Sequence, residues 1–400
     1  MPADPRLAPS DVAEPNPLWG EDWADVRALW PLEATVAHLN HGSFGAVPTP
    51  VLEEQASWRD RMEANPVRFF ARELDGALDE ARAEVAQFFG VEADAMAFVP
   101  NVTTAVNTVL SCLPLEPGDQ VLLTDHAYGA VRIAADRWAE AARAEVVTVH
   151  VPLAADEDEV CGRLGEAVTE RTRLAVLDHV TSPTARRLPL VRMVPELQSR
   201  GVMVLVDGAH AAGMLDVDLA GIGADFWTGN LHKWCCAPRG TAVLHVAPQR
   251  RAQLRPLVAS WGEPFGFPRS FQDVGTQDLT AWLSAPKALR TLEGLDLARV
   301  RKHNVELAVA GQLEVARGLG LDLAGLPRDP AVSMQLVPLP AGIATTAEEA
   351  EALQQRIGTE VAIEVAVTNW QGQGFIRVSA HVYNRPADYA LLATELPTLL

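Results

Sequence analysis

The chain has 400 residues, 48% of them hydrophobic and 21% charged, with a net charge of −19. That length suffices for two or three domains and a large core, the acidic balance argues against nucleic acid as a main partner, and no apolar run approaches the roughly 18 residues of a membrane span. Residues 1–15 lack a basic start followed by an apolar stretch, so no secretory signal is expected, and four cysteines without CxxC spacing (Cys112, Cys161, Cys235, Cys236) fit a reduced cytoplasmic setting and no metal.

In chain order, residues 1–35 read as an irregular leader that Trp19, Trp23 and Trp30 dock onto the body. A large α/β domain is expected over 36–286. Its helical patterns fall at 50–63, 72–89, 102–112, 129–143, 157–169 and 190–200. Short apolar runs lie at 97–99, 121–123, 146–149, 174–177, 202–206 and 242–244. Such runs between amphipathic helices predict a mostly parallel central sheet covered by helices on both faces. A smaller α+β domain is expected over 287–400, with one long helix at 287–318, strands near 332–337, 361–367 and 374–379, and a last helix at 386–399.

Ligands of open α/β sheets sit beyond the carboxyl ends of the strands. Five polar clusters are expected at strand ends: Asn101–Thr104, Asp125–His126, Asp178–Thr181, Asp207–His210 and Thr228–Lys233. Asn101, Thr103 and Thr104 read either as plain helix caps or as donors to a phosphate at a helix start. Asp207 emerges from a buried run and needs a partner, an arginine or backbone N–H in the bland case. Of 33 basic residues only Lys233, Lys287 and Lys302 are lysines. A lysine that must shed its proton cannot be exchanged for arginine, whose guanidinium stays charged. Lys287 and Lys302 lie in helical, Arg-rich sequence and read as surface charge, whereas Lys233 sits directly after a turn, among His232, Trp234 and two cysteines.

Asp207 and Lys233, twenty-six positions apart, supply the two ends of a pyridoxal phosphate (PLP) site. The amine forms an imine with the cofactor aldehyde, and the carboxylate holds the protonated ring nitrogen. His126, or else Tyr128, offers a ring to stack on the pyridine; the plain alternative for His126 is an ordinary loop histidine.

The runs Val206-Asp207-Gly208-Ala209-His210 and Gly229-Asn230-Leu231-His232-Lys233-Trp234 resemble the class V aminotransferase family of fold type I PLP enzymes. Leu39-Asn40-His41-Gly42-Ser43-Phe44-Gly45, Asn101-Val102-Thr103-Thr104 and Ala237-Pro238 resemble its isopenicillin N epimerase-like branch. The resemblance implies Lys233 as the imine lysine, Asp207 as the pyridinium partner and His210 beside the phenolic oxygen. It places Thr103, Thr104, Asn230 and His232 at the phosphate, with Thr276 reaching that phosphate from the second subunit of a homodimer. It also places Arg377 on the substrate carboxylate, with Asn40 and Ser43 at the substrate; alone, Arg377 reads as a strand-end surface charge. Ser182 departs from the family's asparagine, and Arg186 and Arg187 either face solvent or reach the substrate.

The implied chemistry is removal of an amino acid's Cα proton, with Lys233 and His126 as catalytic groups. Epimerisation or elimination comes first, a C–S lyase or desulfurase-like enzyme next, a transaminase third. Epimerisation needs a second acid–base group, for which His41, His126 and Tyr128 are candidates. All four cysteines precede residue 237, which counts against a desulfurase with a nucleophilic cysteine in its C-terminal half. A non-catalytic PLP-binding regulator would need a basic DNA-binding segment, which this acidic chain lacks.

Overall fold

The alternating apolar and amphipathic segments fold into two compact units in a computed structural model that describes residues 23–400. One unit is Phe44–Gly294; the other combines residues up to Ser43 with Leu295–Leu400. Among the described residues the smaller unit has a short helix, Trp23–Ala28, within the stretch expected to be irregular, and then β1 (Ala37–His38).

The larger unit is built on a seven-stranded sheet. Its strands are β2 (Met96–Val99), β3 (Gln120–Thr124), β4 (Glu145–Val149), β5 (Thr172–Asp178), β6 (Met203–Asp207), β7 (Phe226–Asn230) and β8 (Ala242–Val246), in the spatial order β2-β8-β7-β6-β5-β3-β4. Only β8 runs against its neighbours; the β4-β3-β5-β6-β7 ladder is parallel. The six expected helices appear as Thr49–Ala64, Leu74–Phe88, Val102–Ser111, Gly129–Ala142, Glu157–Ala167 and Leu190–Ser199. One face of the sheet packs Val121, Leu123, Leu174, Val176, Leu205 and Phe226 against Val102, Val106 and Val109 of a helix. Each such side chain stabilises the fold by about 1.5–3 kcal/mol on burial.

β7 did not stand out as a strand, because Gly229 and Asn230 read as turn residues. Its glycine has a packing reason: a Cβ at 229 would collide with the indole of Trp227.

The smaller unit continues with β9 (Met334–Pro338), β10 (Ile363–Glu364), β11 (Ala366–Trp370) and β12 (Gln373–Ser379). β12 lies between β11 and β9, antiparallel to both. β1 pairs in parallel with β10, which draws residues 36–43 into this unit rather than the large domain expected to begin at 36. The expected boundary at 286/287 falls inside the Ala285–Gly294 helix. The long helix expected over 287–318 is two, the second being Leu297–Gly318. It is broken where Asp296 turns to a φ of 59° and accepts the N–H of Arg299. Trp23 donates to the carbonyl of Val382 at 2.6 Å, and Trp30 is buried edge-on against His381; Trp19 lies outside the described residues.

Candidate active site

The carboxyl ends of β5, β6 and β7 bring together most of the expected cofactor residues. Asp207 ends β6 and is buried. Its carboxylate accepts the N–H of Ala209 at 2.9 Å. The backbone must turn tightly here: Gly208 donates to Thr228 O at 2.7 Å, and a Cβ at 208 would strike the Trp227 ring. Burial pushes the Asp207 carboxyl up, opposed by the Ala209 N–H and the charge of Lys233. That Lys233 acts on Asp207 puts both ends of the expected PLP site within electrostatic reach.

Lys233 sits in the loop after β7, whose shape is fixed by Cys236 N–H to Lys233 O and Ala237 N–H to Leu231 O. Cys236 carries a φ of 57°, an unfavourable setting for a residue with a Cβ. Gly45, at φ 69°, runs against the same loop, where a Cβ would collide with His232 O. Lys233 Nζ lies 3.3 Å from His210 Nε2, and the indole N–H of Trp234 donates to His210 Nδ1 at 3.4 Å.

Asn101 caps the Val102–Ser111 helix, accepting both the backbone N–H and the hydroxyl of Thr104 at 2.8 and 3.0 Å. The hydroxyl proton of Thr104 is therefore committed to the cap. Thr103 lies in the first helical turn, where backbone N–H groups have no preceding carbonyl and favour anions. Buried Asn230 accepts the Val102 N–H through Oδ1 at 3.1 Å, which leaves its amide NH2 as a donor beside that turn. His232 donates through Nδ1 to Thr241 O at 2.9 Å, and burial lowers its pKa to about 4. The ring is therefore neutral, with Nε2 as its second hydrogen-bonding atom.

His126 is fully buried, with Nδ1 at 2.7 Å from the Thr184 hydroxyl and Nε2 at 2.6 Å from Val151 O. Burial lowers its pKa. Both ring nitrogens are hydrogen-bonded, which holds the ring in one orientation. Arg186 grips the carbonyls of Pro152 and Ala155, while Arg187 is exposed. Thr276 is exposed in the loop before Thr280, and no described contact joins it to the Lys233 group.

In the smaller unit, buried Arg377 on β12 reaches Ser43 Oγ at 3.3 Å and Asn40 Oδ1 at 3.5 Å, and Ser43 donates to Asn40 at 2.6 Å. Arg377 is thus a built-in group, not a surface charge. Gly42 permits this approach: a Cβ there would lie 2.6 Å from Met334 Sδ and 3.5 Å from Arg377 Nη2. His41 stacks on His381 at 4.3 Å and bonds the Tyr383 hydroxyl at 2.8 Å.

One group was not singled out by the sequence: Asp178, whose strand end read only as a polar cluster. It lies directly beside Asp207 in the β5–β6 register.

The donor set fits PLP: a lysine amine, a buried carboxylate on the strand next to its loop, a pinned ring and a helix start with Thr103 and Asn230. Fold and site together define a PLP-dependent enzyme of fold type I. More particularly, the chain belongs to the class V aminotransferase family, whose model matches residues 45–392. It is 34% identical to the isopenicillin N epimerase of Amycolatopsis lactamdurans, over 94% of this chain and 98% of the relative. It is 30% identical to a probable chloroplastic L-cysteine desulfhydrase of Arabidopsis thaliana, over 91% and 83%. In fold it matches C-DES with glycine covalently linked to its PLP cofactor, with a TM-score of 0.79, 22% identity, and coverage of 92% of this chain and 98% of that one. The Escherichia coli cysteine desulfurase CsdA matches with a TM-score of 0.76, 20% identity, and coverage of 94% and 98%. No described helix is long and apolar enough to cross a membrane.

Proposed function

We propose that this protein takes the Cα proton from an amino-acid-type substrate, with epimerisation or β-elimination as the outcome. The observation that carries the reading is the grouping of Lys233, His210 and Asp207 around one set of strand ends. PLP, when bound, supplies an electron sink that acidifies the Cα–H of an amino acid linked to it. Asp207 keeps the ring nitrogen protonated. The His126 ring carries the pyridine face, and Thr103 with Asn230 holds the phosphate. Lys233, once released from the cofactor, takes the Cα proton on Nζ, and His210 orients that amine. Arg377 grips the substrate carboxylate with its planar guanidinium, a geometry suited to two parallel hydrogen bonds.

The likeness to isopenicillin N epimerase supports inversion at Cα; the likeness to L-cysteine desulfhydrases supports elimination of a sulfur group. Inversion needs a second proton donor. Of the three candidates, His126 has both nitrogens engaged and His41 is bonded to Tyr383. Tyr128 follows β3 at a strand end and is half-exposed, and of the three it is the one assigned that role. The active form is a homodimer in the cytoplasm, with Thr276 completing the phosphate site of the second subunit.

The test is incubation of the holoprotein with L- and D-amino acids in deuterated water. Deuterium at Cα with racemisation supports the epimerase. Release of keto acid with sulfide from cysteine supports the lyase. Steady formation of the amine form of the cofactor makes it a transaminase. Absence of all three across the panel overturns the proposal.

A further inference from the structure

Two acidic side chains lie side by side where one is enough. Asp178 ends β5 and Asp207 ends β6, and the two are register partners in adjacent parallel strands. Partners in this register send their side chains to the same face of the sheet. The ladder continues past them, with His179 N–H donating to Asp207 O at 2.7 Å. Each residue is only 4% exposed. Two carboxylates in such a place cannot both ionise, because burial and mutual repulsion act together.

The surroundings decide which one keeps the proton. Asp207 has the Ala209 N–H at 2.9 Å and the charge of Lys233 to favour its anion. Asp178 has only its own backbone N–H, and Asp207 is the charge that acts on it; burial, then Asp207, pushes it well above the usual carboxylate range. No cation among the described residues is recorded as acting on it. His179, next along β5, is held neutral by burial, with a pKa of about 4, and faces the indole N–H of Trp227 at 3.5 Å. The charge of Arg187 acts on His179. Asp125, beyond β3 on the other side, gives its carboxylate to His150 and the Val151 N–H. Thr124, at the end of β3, has a buried hydroxyl with no partner among the described residues.

We propose that Asp178 is a positioning residue: it remains a neutral carboxylic acid with its hydroxyl turned to Asp207, so that Asp207 is the single anion presented to the ring nitrogen of PLP. The inference rests on the reading of Asp207 as the partner of that nitrogen. A hydroxyl donor weakens Asp207 as a base, so the shared proton stays on the ring, where the electron sink needs it.

The experiment is carbon-13 NMR of the holoprotein labelled at aspartate carboxyls, assigned with Asp178→Asn and titrated from neutral to acid pH. The expected result is one resonance, lost in Asp178→Asn, that has the shift of a protonated carboxyl at neutral pH. A resonance that titrates as an ordinary ionised carboxylate, near pH about 4, overturns the proposal. Two variants read the consequence. Asp178→Asn keeps a neutral donor and should hold PLP within about threefold of wild type; Asp178→Leu keeps neutrality without a donor and should lose roughly tenfold. Equal affinity in the two also overturns it. If the leucine variant does not fold, the carboxyl titration of the wild-type protein still decides. Failure of the Asp207 reading shows separately, as an Asp207→Asn protein whose visible cofactor band and PLP affinity match wild type.

Discussion

Replacing Gly208 by alanine tests how the turn after β6 aims Asp207. A Cβ at this position would overlap the ring of Trp227 and approach Thr228 O at 2.8 Å. Neither can withdraw: the indole is buried in the sheet, and Thr228 O accepts the Gly208 N–H at 2.7 Å. The backbone must therefore shift, at an overpacking cost of about 1–3 kcal/mol. The same shift lengthens the Ala209 N–H bond to the Asp207 carboxylate, a contact to a charged group of about 1.5–3 kcal/mol. If the second loss is felt on binding, PLP affinity falls roughly ten- to a hundredfold, since about 1.4 kcal/mol is tenfold. The assay is reconstitution of the apoprotein followed by its visible absorbance, beside a thermal melt. Gly76→Ala is the control: it lies in the Leu74–Phe88 helix with open space around it, so it should stabilise by up to about 1 kcal/mol and leave PLP binding alone. A Gly208→Ala protein that binds PLP within twofold of wild type would refute the reasoning.

Three further outcomes follow from the same geometry. Arg377→Lys should raise the KM for amino acids roughly ten- to a hundredfold, because an ammonium cannot reproduce the guanidinium fork; an unchanged KM would remove Arg377 from the substrate. Tyr128→Phe should retain Cα deuterium exchange from one enantiomer while slowing racemisation at least about tenfold; equal loss of both would make the residue structural. Burial lowers the pKa of His179, His232, His245 and His303 to about 4 and of His381 to about 3. The unfolded chain, with ordinary values near about 6.5, binds more protons below that pH, so stability is lost as pH falls from about 6.5 towards 4. The buried pair Asp178 and Asp207, pushed up, has the opposite sign. The urea midpoint of the apoprotein should drop over this range; a flat midpoint would contradict the buried neutral state of the histidines.

The two expected anchors of the cofactor, Lys233 and Asp207, could be read in the sequence because each role needs a residue type that nothing else replaces. With three lysines in the chain and one directly after a turn, the choice of Lys233 was narrow, and Asp207 followed a buried run. The helices of the larger unit were legible from periodicity alone. β7 was not, since Trp227 demands glycine at 229 and the resulting Gly-Asn pair imitates a turn. The placement of Asp178 beside Asp207 was hidden for a different reason: it depends on register between β5 and β6, and register is a property of two segments together. His126 shows the converse case. Its position after β3 was visible, but the two contacts that fix its ring come from Thr184 and Val151, far along the chain.

The account stands on Lys233 as the residue that binds PLP covalently. Borohydride reduction of the holoprotein, followed by peptide mass spectrometry, reads this directly. The predicted result is a pyridoxyl group on the Lys233 peptide, with Lys287 and Lys302 unmodified. Stoichiometric label on either of those lysines, or a reduced protein with no label at Lys233, would contradict it.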